Sequence, residues 1–288
     1  MRIALGTVQW GMNYGISNIN GIPDNNELKN IFLKMDKVRI NTLDTASHYG
    51  SAEKRISQFI KKKHKIISKV NPSSLKISIK NQCQKSLSNV GIPKFYGYLL
   101  NNPSNVIENE NIWNELKELK RLGLVNKIGY SVYNPLELDI LIEKKIIPDI
   151  IQLPFNILDR RFAAYFEKLK NNGVEIHVRS VFLQGVLIDA YKKCPNEFEK
   201  WIPLWEKYRS WINYIGVSPV EACLRHVLSF KLIDKIIIGV TKLIELEEII
   251  NAQKRSPLIA PNDLSSDDDF LINPLKWPIT KRILLKKH

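Results

Sequence analysis

An aspartate, a tyrosine and a lysine near the start of the chain have the residue types of a proton-transfer site. Asp44 and Tyr49 lie in the stretch LDTASHYGSAEKRI, and Lys69 follows in KIISKV. A tyrosine with a pKa of about 10 is a weak acid at neutral pH. An ammonium group within about 4–6 Å lowers that pKa, and a carboxylate positions the lysine. The three residues therefore predict a group that gives a proton to a carbonyl oxygen as negative charge develops there.

Such a reaction also needs a nucleophile, and no side chain here has the features of a covalent one. The predicted nucleophile is a hydride from a reduced nicotinamide. Each residue alone has a simpler interpretation, Asp44 as a turn or helix cap and Tyr49 as a packing residue. Their placement with Lys69 favours chemistry, because a buried ion pair stabilises a fold poorly by itself.

Short apolar segments alternate with helical segments along the whole chain. The predicted strands are residues 3–6, 41–45, 65–70, 96–101, 127–131, 150–154, 175–180 and 235–239. The predicted helices include residues 25–38, 52–63, 75–90, 108–122, 134–145, 160–172, 218–231 and 243–253. Eight such units in 288 residues favour an α/β fold of the (β/α)8 TIM barrel type in a single domain.

We expect the barrel to cover about residues 2–253, with a C-terminal extension over about residues 254–288. A doubly wound sheet is the alternative. Such a sheet usually carries an early glycine-rich phosphate turn, and the segment LGTVQWG does not fit the pattern GxGxxG. The barrel is therefore the preferred prediction.

Polar side chains recur where the predicted strands end. In a TIM barrel the functional residues gather at the carboxyl ends of the strands. The residues at these ends are Asp44, Lys69, Asn101, Ser131, Gln152, Arg179, Ser180, Gly239, Thr241 and Lys242. We expect them to converge on one mouth, where Lys69 is the cation that keeps Asp44 ionised and Tyr49 lies beside both.

Composition restricts the partners and the location. The chain is 44% hydrophobic and has a formal net charge of +14, from 43 Lys+Arg against 29 Asp+Glu. The lysines are scattered and no nucleic-acid-binding motif accompanies them, so a polyanion-binding barrel is only a third hypothesis, and nucleic acid is a disfavoured partner. Three cysteines without paired spacing predict no disulfide frame, no metal site and a cytoplasmic location. No segment has the roughly 18 apolar residues of a membrane span.

A series of motifs resembles the aldo-keto reductases. The matching segments, in the order of that family, are LGTVQWG, LDTASHYGSAE, IISKV, YLLNNPS, KIGYSVYNP, DIIQLPFN, VRSVFLQGVL and IIIGVTKLIELEEI. The resemblance covers about residues 2–253, and the aspartate, tyrosine and lysine segments are specific to the family. It implies a (β/α)8 barrel, reduction of an aldehyde or ketone with NADPH, and no metal.

Three of the four catalytic positions of the family are matched here, by Asp44, Tyr49 and Lys69. The fourth is usually histidine, and this sequence has Asn101. An amide can orient a substrate oxygen by a hydrogen bond, but it does not titrate near neutral pH. Potassium-channel beta subunits of the same superfamily also have asparagine there. Two hypotheses stay open: a working reductase, fast or slow, and a cofactor-binding redox sensor or regulatory barrel with little turnover.

The resemblance also implies cofactor-binding residues. Ser131 and Gln152 match residues that contact the nicotinamide carboxamide, and Arg179 occupies the position of a stacking aromatic residue. Gly239, Thr241 and Lys242 match a phosphate-binding turn, where Lys242 favours NADPH over NADH. The full implied set is Gly6, Thr7, Asp44, Ser131, Gln152, Arg179, Ser180, Gly239, Thr241, Lys242 and Glu248, the last near the adenine.

The substrate pocket is less well marked in the sequence. Trp10 and Tyr14 follow the first strand and are candidates for the wall of the cleft, with packing as the alternative for both. His48 precedes the catalytic tyrosine and is a third candidate beside Tyr49. Arg179 suggests an anionic or sugar-type carbonyl compound, but neither the substrate nor the oligomeric state follows from the sequence.

Overall fold

Eight short apolar segments form the strands of a closed barrel. The computed structural model describes residues 1–70, 78–189 and 196–277. The strands are β1 (Ile3–Gly6), β2 (Thr42–Asp44), β3 (Lys65–Val70), β4 (Phe95–Leu100), β5 (Val125–Ser131), β6 (Ile150–Pro154), β7 (Glu175–Arg179) and β8 (Lys235–Gly239). Each strand pairs in parallel with the next one along the chain, and β8 returns to β1. The predicted (β/α)8 fold is confirmed.

Helices connect successive strands, because a parallel connection needs a crossover segment. The helices are α1 (Val8–Gly11), α2 (Asn25–Val38), α3 (Ala52–Ile56), α4 (Ile79–Val90), α5 (Ser104–Glu108), α6 (Asn111–Arg121), α7 (Pro135–Glu143), α8 (Phe166–Asn171), α9 (Val186–Asp189), α10 (Ile202–Ile215), α11 (Pro219–Ser229), α12 (Leu243–Gln253) and α13 (Asp269–Ile272). Within the described ranges, no helix is long and apolar enough to cross a membrane.

Local sequence signals explain where several helices begin. The side chain of Asp24 accepts a hydrogen bond from the backbone N–H of Glu27 and caps α2. Asn134 and Glu137 form a reciprocal capping box at the start of α7, followed by a proline at the first helical position. Ser218 caps α11 as Asp24 caps α2, by accepting a hydrogen bond from the backbone N–H of Glu221 at 3.1 Å. These caps satisfy N–H groups that the helix itself leaves without partners.

Three predicted helices differ from the structure. The segment predicted as 52–63 ends at Ile56, because the hydroxyl of Ser57 donates to the carbonyl of Lys54 at 2.7 Å and competes with the helix. The segment predicted as 108–122 is divided between α5 and α6. The segment predicted as 160–172 begins with a 3-10 turn before α8. Residues 75–77 of another predicted helix lie outside the described residues.

The C-terminal extension, which follows α12, packs against the outside of the barrel. In the described part of the extension, Leu264, Leu271, Ile272 and Trp277 are buried. The ring of Trp277 meets that of Phe198 edge to face at 4.9 Å. Trp205 of α10 is fully buried, and its ring meets that of Phe198 edge to face at 6.2 Å, so α10 and the extension pack on the same residue. Residues 278–288 lie outside the described residues.

A buried histidine joins α11 to this extension. His226 is fully buried, and its Nδ1 accepts the backbone N–H of Ala260 at 3.1 Å. Its ring lies parallel to that of Phe155 at 6.1 Å. Burial, reinforced by the charge of Arg160, lowers the pKa of His226 from 6.5 to about 3. The histidine is therefore neutral in the folded chain over the whole physiological range.

Titration of His226 predicts a loss of stability in acid. Because its pKa is lower in the folded than in the unfolded chain, the stabilisation is complete above pH 6.5 and is lost as the pH falls toward 3. At about pH 4.5 the loss is about 2–3 kcal/mol. His226→Gln keeps an acceptor for Ala260 without titrating. We expect its free energy of unfolding to change less between about pH 7 and 4.5, as measured by urea denaturation. Equal pH dependence in both proteins would contradict the assignment.

Candidate active site

A buried ion pair lies where β2 and β3 reach the mouth of the barrel. The Nζ of Lys69 is 2.6 Å from Oδ2 of Asp44, and it also donates to the carbonyl of Thr45 at 3.1 Å. Asp44 is 5% and Lys69 2% exposed. The second carboxylate oxygen of Asp44 accepts a short hydrogen bond from the side-chain amide of Gln152. Both carboxylate oxygens therefore have donors, which removes most of the cost of burying the charge.

Tyr49 lies on the turn after β2, against the same lysine. The Nζ of Lys69 is 5.4 Å from the centroid of the tyrosine ring. The turn is held by a hydrogen bond from the Tyr49 N–H to the carbonyl of Ala46 at 3.0 Å. Gly11 of α1 packs directly on this turn, since a Cβ built at Gly11 would lie 1.9 Å from the carbonyl oxygen of Tyr49. The structure thus brings together the three predicted catalytic residues.

The electrostatics at Tyr49 differ from the sequence-based expectation. Burial raises the pKa of Tyr49 above its ordinary value, and the nearby Asp44 and Tyr133 raise it further, whereas Arg179 lowers it. Lys69 was predicted to lower this pKa, but its charge is paired with Asp44 at 2.6 Å. The phenol therefore keeps its proton throughout the physiological range, so it is available as a proton donor and not as a base.

His48 and Asn101 lie near this group. The imidazole of His48 meets the ring of Tyr49 edge to face at 4.9 Å. Burial and the charge of Lys69 lower the pKa of His48 to about 4, so the ring is neutral and can hydrogen-bond without carrying charge. Asn101 directly follows β4 and is half-buried. Its role as an orienting donor stays a prediction.

Ser131, Gln152 and Arg179 form a second group at the ends of β5, β6 and β7. Ser131 pairs with Gln152 across the two strands. The guanidinium of Arg179 donates from Nε to the Ser131 hydroxyl at 3.2 Å and from Nη2 to the carbonyl of Val132 at 3.0 Å. Its Cζ lies 4.1 Å from the ring centroid of Tyr133, a cation–π contact. Ser180 follows with a φ of 61°, a strained value for a serine, and its hydroxyl accepts from Nη1 of Arg179 at 3.3 Å.

Tyr14 faces the mouth, whereas Trp10 does not. The Tyr14 hydroxyl accepts a hydrogen bond from the side-chain amide of Gln184 at 3.2 Å. Burial, followed by the nearby Tyr133 and Tyr49, raises the pKa of Tyr14. Trp10 is fully buried and its indole N–H donates to the carbonyl of Val240 at 2.7 Å, so it packs in the core instead of forming the predicted cleft wall.

The first strand ends in a tight part of the mouth. Gly6 is in register with Asp44 on one side and with Gly239 on the other. Thr7 is fully buried, its N–H donates to the carbonyl of Asp44 at 2.9 Å, and its hydroxyl has no partner among the described residues. This arrangement lets the backbones of β1, β2 and β8 approach closely at the cofactor-binding positions implied by the sequence.

The turn after β8 contains acidic groups that were not predicted. The carboxylate of Glu245 accepts from the backbone N–H groups of Thr241 at 2.6 Å and Lys242 at 3.1 Å. Glu27 of α2 accepts a short hydrogen bond from the N–H of Leu243. Glu245 occupies the third helical position of α12, which is the capping-box position and could have been identified from the sequence. The contact with Glu27 is too distant in sequence for such a signal.

Glu248, predicted near the adenine, lies on the exposed side of α12. Its Oε1 accepts from the Ser218 hydroxyl at 2.9 Å across a surface groove between α11 and α12. The next residue, Ile249, is buried. Two other residues at the mouth were missed: Tyr133 below Arg179, and Gln184 beside Tyr14. Both depend on contacts between distant loops, for which the sequence carries no local pattern.

The sequence model of the Aldo/keto reductase family matches residues 2–260 of the chain. The chain belongs to the aldo/keto reductase family. Members of the family are oxidoreductases that act on carbonyl groups with a nicotinamide cofactor. No curated protein is similar enough in sequence to match.

Solved structures of aldo-keto reductases share this fold. The aldo-keto reductase AKR11C1 from Bacillus halodurans, in its holo form, is 19% identical with a TM-score of 0.72, over 89% of this chain and 88% of that chain. The glycerol dehydrogenase AKR11B4 from Gluconobacter oxydans is 18% identical with a TM-score of 0.68, over 99% of this chain and 91% of that chain. At these identities the likeness shows the fold alone.

The cofactor of the aldo/keto reductase family can be tested against the residues at the mouth. The Oε1 of Gln152 is buried without a hydrogen-bond partner among the described residues, and the adjacent Ser131 offers a hydroxyl. An amide acceptor and a hydroxyl side by side fit the N–H and C=O groups of a carboxamide. The residues on β5 and β6 therefore fit a nicotinamide. In the described ranges, no group of three or more His, Cys, Asp or Glu side chains could hold a metal ion.

Proposed function

We propose that the chain reduces an aldehyde or ketone, with Tyr49 as the proton donor and a reduced nicotinamide dinucleotide as the co-substrate. The observation that carries the proposal is the buried pair of Asp44 and Lys69 beside Tyr49, 2.6 Å between charged atoms. A buried ion pair of this kind contributes little to stability, so its position at the mouth next to a phenol supports a catalytic role. Membership in the aldo/keto reductase family supports the reaction class.

Each residue has a distinct part in this proposal. Ser131 and Gln152 hold the carboxamide, and the bound cofactor supplies a hydride to the carbonyl carbon. Tyr49 donates its proton to the carbonyl oxygen. Lys69 stabilises the phenolate that remains, and Asp44 keeps the ammonium in place. Asn101 donates a hydrogen bond to the same oxygen, while Tyr14 and His48 border the substrate.

A second candidate is a cofactor-binding barrel with little turnover. Two observations favour it: Asn101 stands where the family usually has histidine, and the pKa of Tyr49 is raised. The amide of Asn101 does not titrate and so cannot take part in proton transfer. A phenol with a raised pKa is a weaker acid. Both features predict slow proton transfer. A slow reductase and a sensor differ in whether the residual rate depends on Tyr49.

The direct test is nicotinamide oxidation in the presence of carbonyl compounds. The purified protein is mixed with NADH or NADPH and with one of a panel of aldehydes, ketones, 2-oxo acids and phosphorylated sugars. The oxidation of the nicotinamide is followed by the loss of its absorbance. Saturable oxidation that needs both the carbonyl and the chain supports the reductase. Tight nucleotide binding without oxidation of any pair supports the sensor.

Arg179 suggests the charge of the substrate. Three of its five N–H groups are used by Ser131, Ser180 and the Val132 carbonyl, and it forms no ion pair among the described residues. The charge of Arg179 also offsets part of the rise that burial causes in the pKa of Tyr49 and Tyr14. An unpaired cation beside the proton donor favours a carbonyl compound that carries a carboxylate or phosphate, such as a 2-oxo acid or a sugar phosphate.

Arg179→Gln should therefore discriminate against anionic substrates. We expect KM for a 2-oxo acid to rise about 10- to 100-fold, the value of one lost hydrogen bond to a charged group. KM for the matching methyl ester should change far less. The ratio between acid and ester isolates the charge effect, because any loss of orientation at Ser131 affects both substrates equally. The control is Lys120→Gln, which removes a cation paired with Asp149 on the outside of the barrel. An unchanged ratio would remove the anionic-substrate hypothesis.

A further inference from the structure

The turn after β8 is the part of the site that was predicted to bind a phosphate. In TIM barrels a phosphate site is frequently formed by the loops after strands seven and eight and by a helix N-terminus. Free backbone N–H groups at a helix start normally make such a place attractive to anions. Lys242 adds the only positive side chain of the turn from Gly239 to Lys242. The availability of these N–H groups therefore decides whether a phosphate can bind.

The described structure shows these N–H groups already paired with carboxylates. Glu245 accepts from Thr241 and Lys242 at 2.6 and 3.1 Å, and Glu27 accepts from Leu243. The hydroxyl of Thr241 also donates to Glu245, at 3.2 and 3.3 Å. The amide of Asn20 adds a fourth contact to Glu245 at 3.4 Å. A phosphate at this turn would have to displace a carboxylate that is held by several donors.

The charge around the turn is also unfavourable for a phosphate. The carboxylates of Glu27 and Glu245 both accept hydrogen bonds from backbone N–H groups of the turn. Lys34 is engaged by Glu247 at 2.5 Å. Within the turn itself, Gly239 to Lys242, the half-buried Lys242 is the single cation that offsets the two carboxylates. Like charges a few ångströms apart repel, most strongly where water is partly excluded.

A ribose with a free 2′-hydroxyl meets the opposite situation. A carboxylate is an acceptor only, and a hydroxyl can donate to it. In dinucleotide-binding proteins an acidic residue that accepts from the 2′-hydroxyl is the general device for selecting NAD over NADP. We propose that Glu245 is the specificity-determining residue of this turn and excludes a 2′-phosphate, so that the chain uses NADH in preference to NADPH. The proposal rests on the proposed nicotinamide-dependent reduction and runs against the sequence-based prediction of NADPH from Lys242.

Direct binding tests this selectivity without reference to turnover. The dissociation constants of NADH and NADPH are measured for the intact wild-type chain by isothermal titration calorimetry. We expect NADH to bind about tenfold more tightly or better, the ratio that corresponds to about 1.4 kcal/mol. Equal affinity, or tighter binding of NADPH, would overturn the proposal while leaving the reductase intact. Binding of neither nucleotide would overturn the proposed function itself.

Glu245→Gln assigns the effect to one side chain. The amide oxygen can still accept from Thr241 and Lys242, so the cap persists while the charge is removed. We expect NADPH affinity to rise about tenfold and NADH affinity to fall by less than about threefold. The matched control is Glu247→Gln, which removes an equal charge from the same helix but contacts Lys34 instead of the turn. An equal effect of both variants, or no effect of Glu245→Gln, would contradict the assignment to Glu245.

Discussion

Tyr49→Phe should lower the rate of carbonyl reduction by about 10²- to 10⁴-fold while nucleotide binding stays within about twofold of wild type. The size of the loss is that of a positioned general acid. Phenylalanine retains the ring that packs on His48 at 4.9 Å and lies 5.4 Å from the Nζ of Lys69. Only the hydroxyl is removed. The substitution therefore separates proton donation from packing.

The measurement compares kcat and the dissociation constant of the nucleotide in the two proteins. Tyr96→Phe is the matched control, because it removes a phenol hydroxyl that donates to Glu175 at 2.7 Å near the start of β4, at the opposite end of the barrel. We expect Tyr96→Phe to keep a wild-type rate. If Tyr49→Phe also kept its rate, Tyr49 would not be the proton donor, and a slow reaction independent of Tyr49 would favour the regulatory barrel.

Lys69→Met should both destabilise the fold and abolish reduction. Removal of the ammonium leaves the carboxylate of Asp44 buried at 5% exposure, with the Gln152 amide as its one remaining side-chain partner among the described residues. Breaking a buried ion pair on one side costs about 3–5 kcal/mol. We expect a loss of this size in the free energy of unfolding, measured by urea denaturation. Reduction is lost as well, since the Tyr49 phenolate then lacks the ammonium that lies 5.4 Å from its ring.

The double variant Asp44→Asn with Lys69→Met distinguishes the two effects. Asparagine is neutral and close in shape to aspartate, so it can keep a hydrogen bond with Gln152 without a buried charge. We expect the double variant to recover most of the lost stability and none of the activity. Recovery of both would mean that the pair acts through folding alone. Recovery of neither would mean that Lys69 stabilises the barrel in some way other than its contact with Asp44.

The features predicted correctly from the sequence depend on local patterns. The apolar runs give all eight strands, to within two residues at each end, because a buried parallel strand is continuously hydrophobic. The rule that functional groups gather at the carboxyl ends of strands then places Asp44 and Lys69 together. Their contact at 2.6 Å follows from neighbouring strands in parallel register. For these residues, position in the chain is enough to give position in the site.

The features that were missed depend on contacts between distant segments. Glu27 lies 216 residues from the Leu243 N–H that it accepts, and no sequence pattern pairs them. The pKa of Tyr49 was predicted in the wrong direction because its burial is known only from the folded chain. The sequence position of Trp10 suggests a cleft residue, but in the folded chain its indole N–H donates a hydrogen bond to the carbonyl of Val240. Burial and long-range pairing are the two quantities that a linear sequence does not provide.

The contact between Gly11 and Tyr49 gives one small residue an influence beyond its size. A hydrogen atom is all that fits between α1 and the turn, since any Cβ at Gly11 would overlap the tyrosine carbonyl at 1.9 Å. The close contact between Gly11 and the turn therefore fixes the position of the Tyr49 side chain relative to the mouth of the barrel. Glycine at this one position is therefore a condition for the placement of the proposed proton donor.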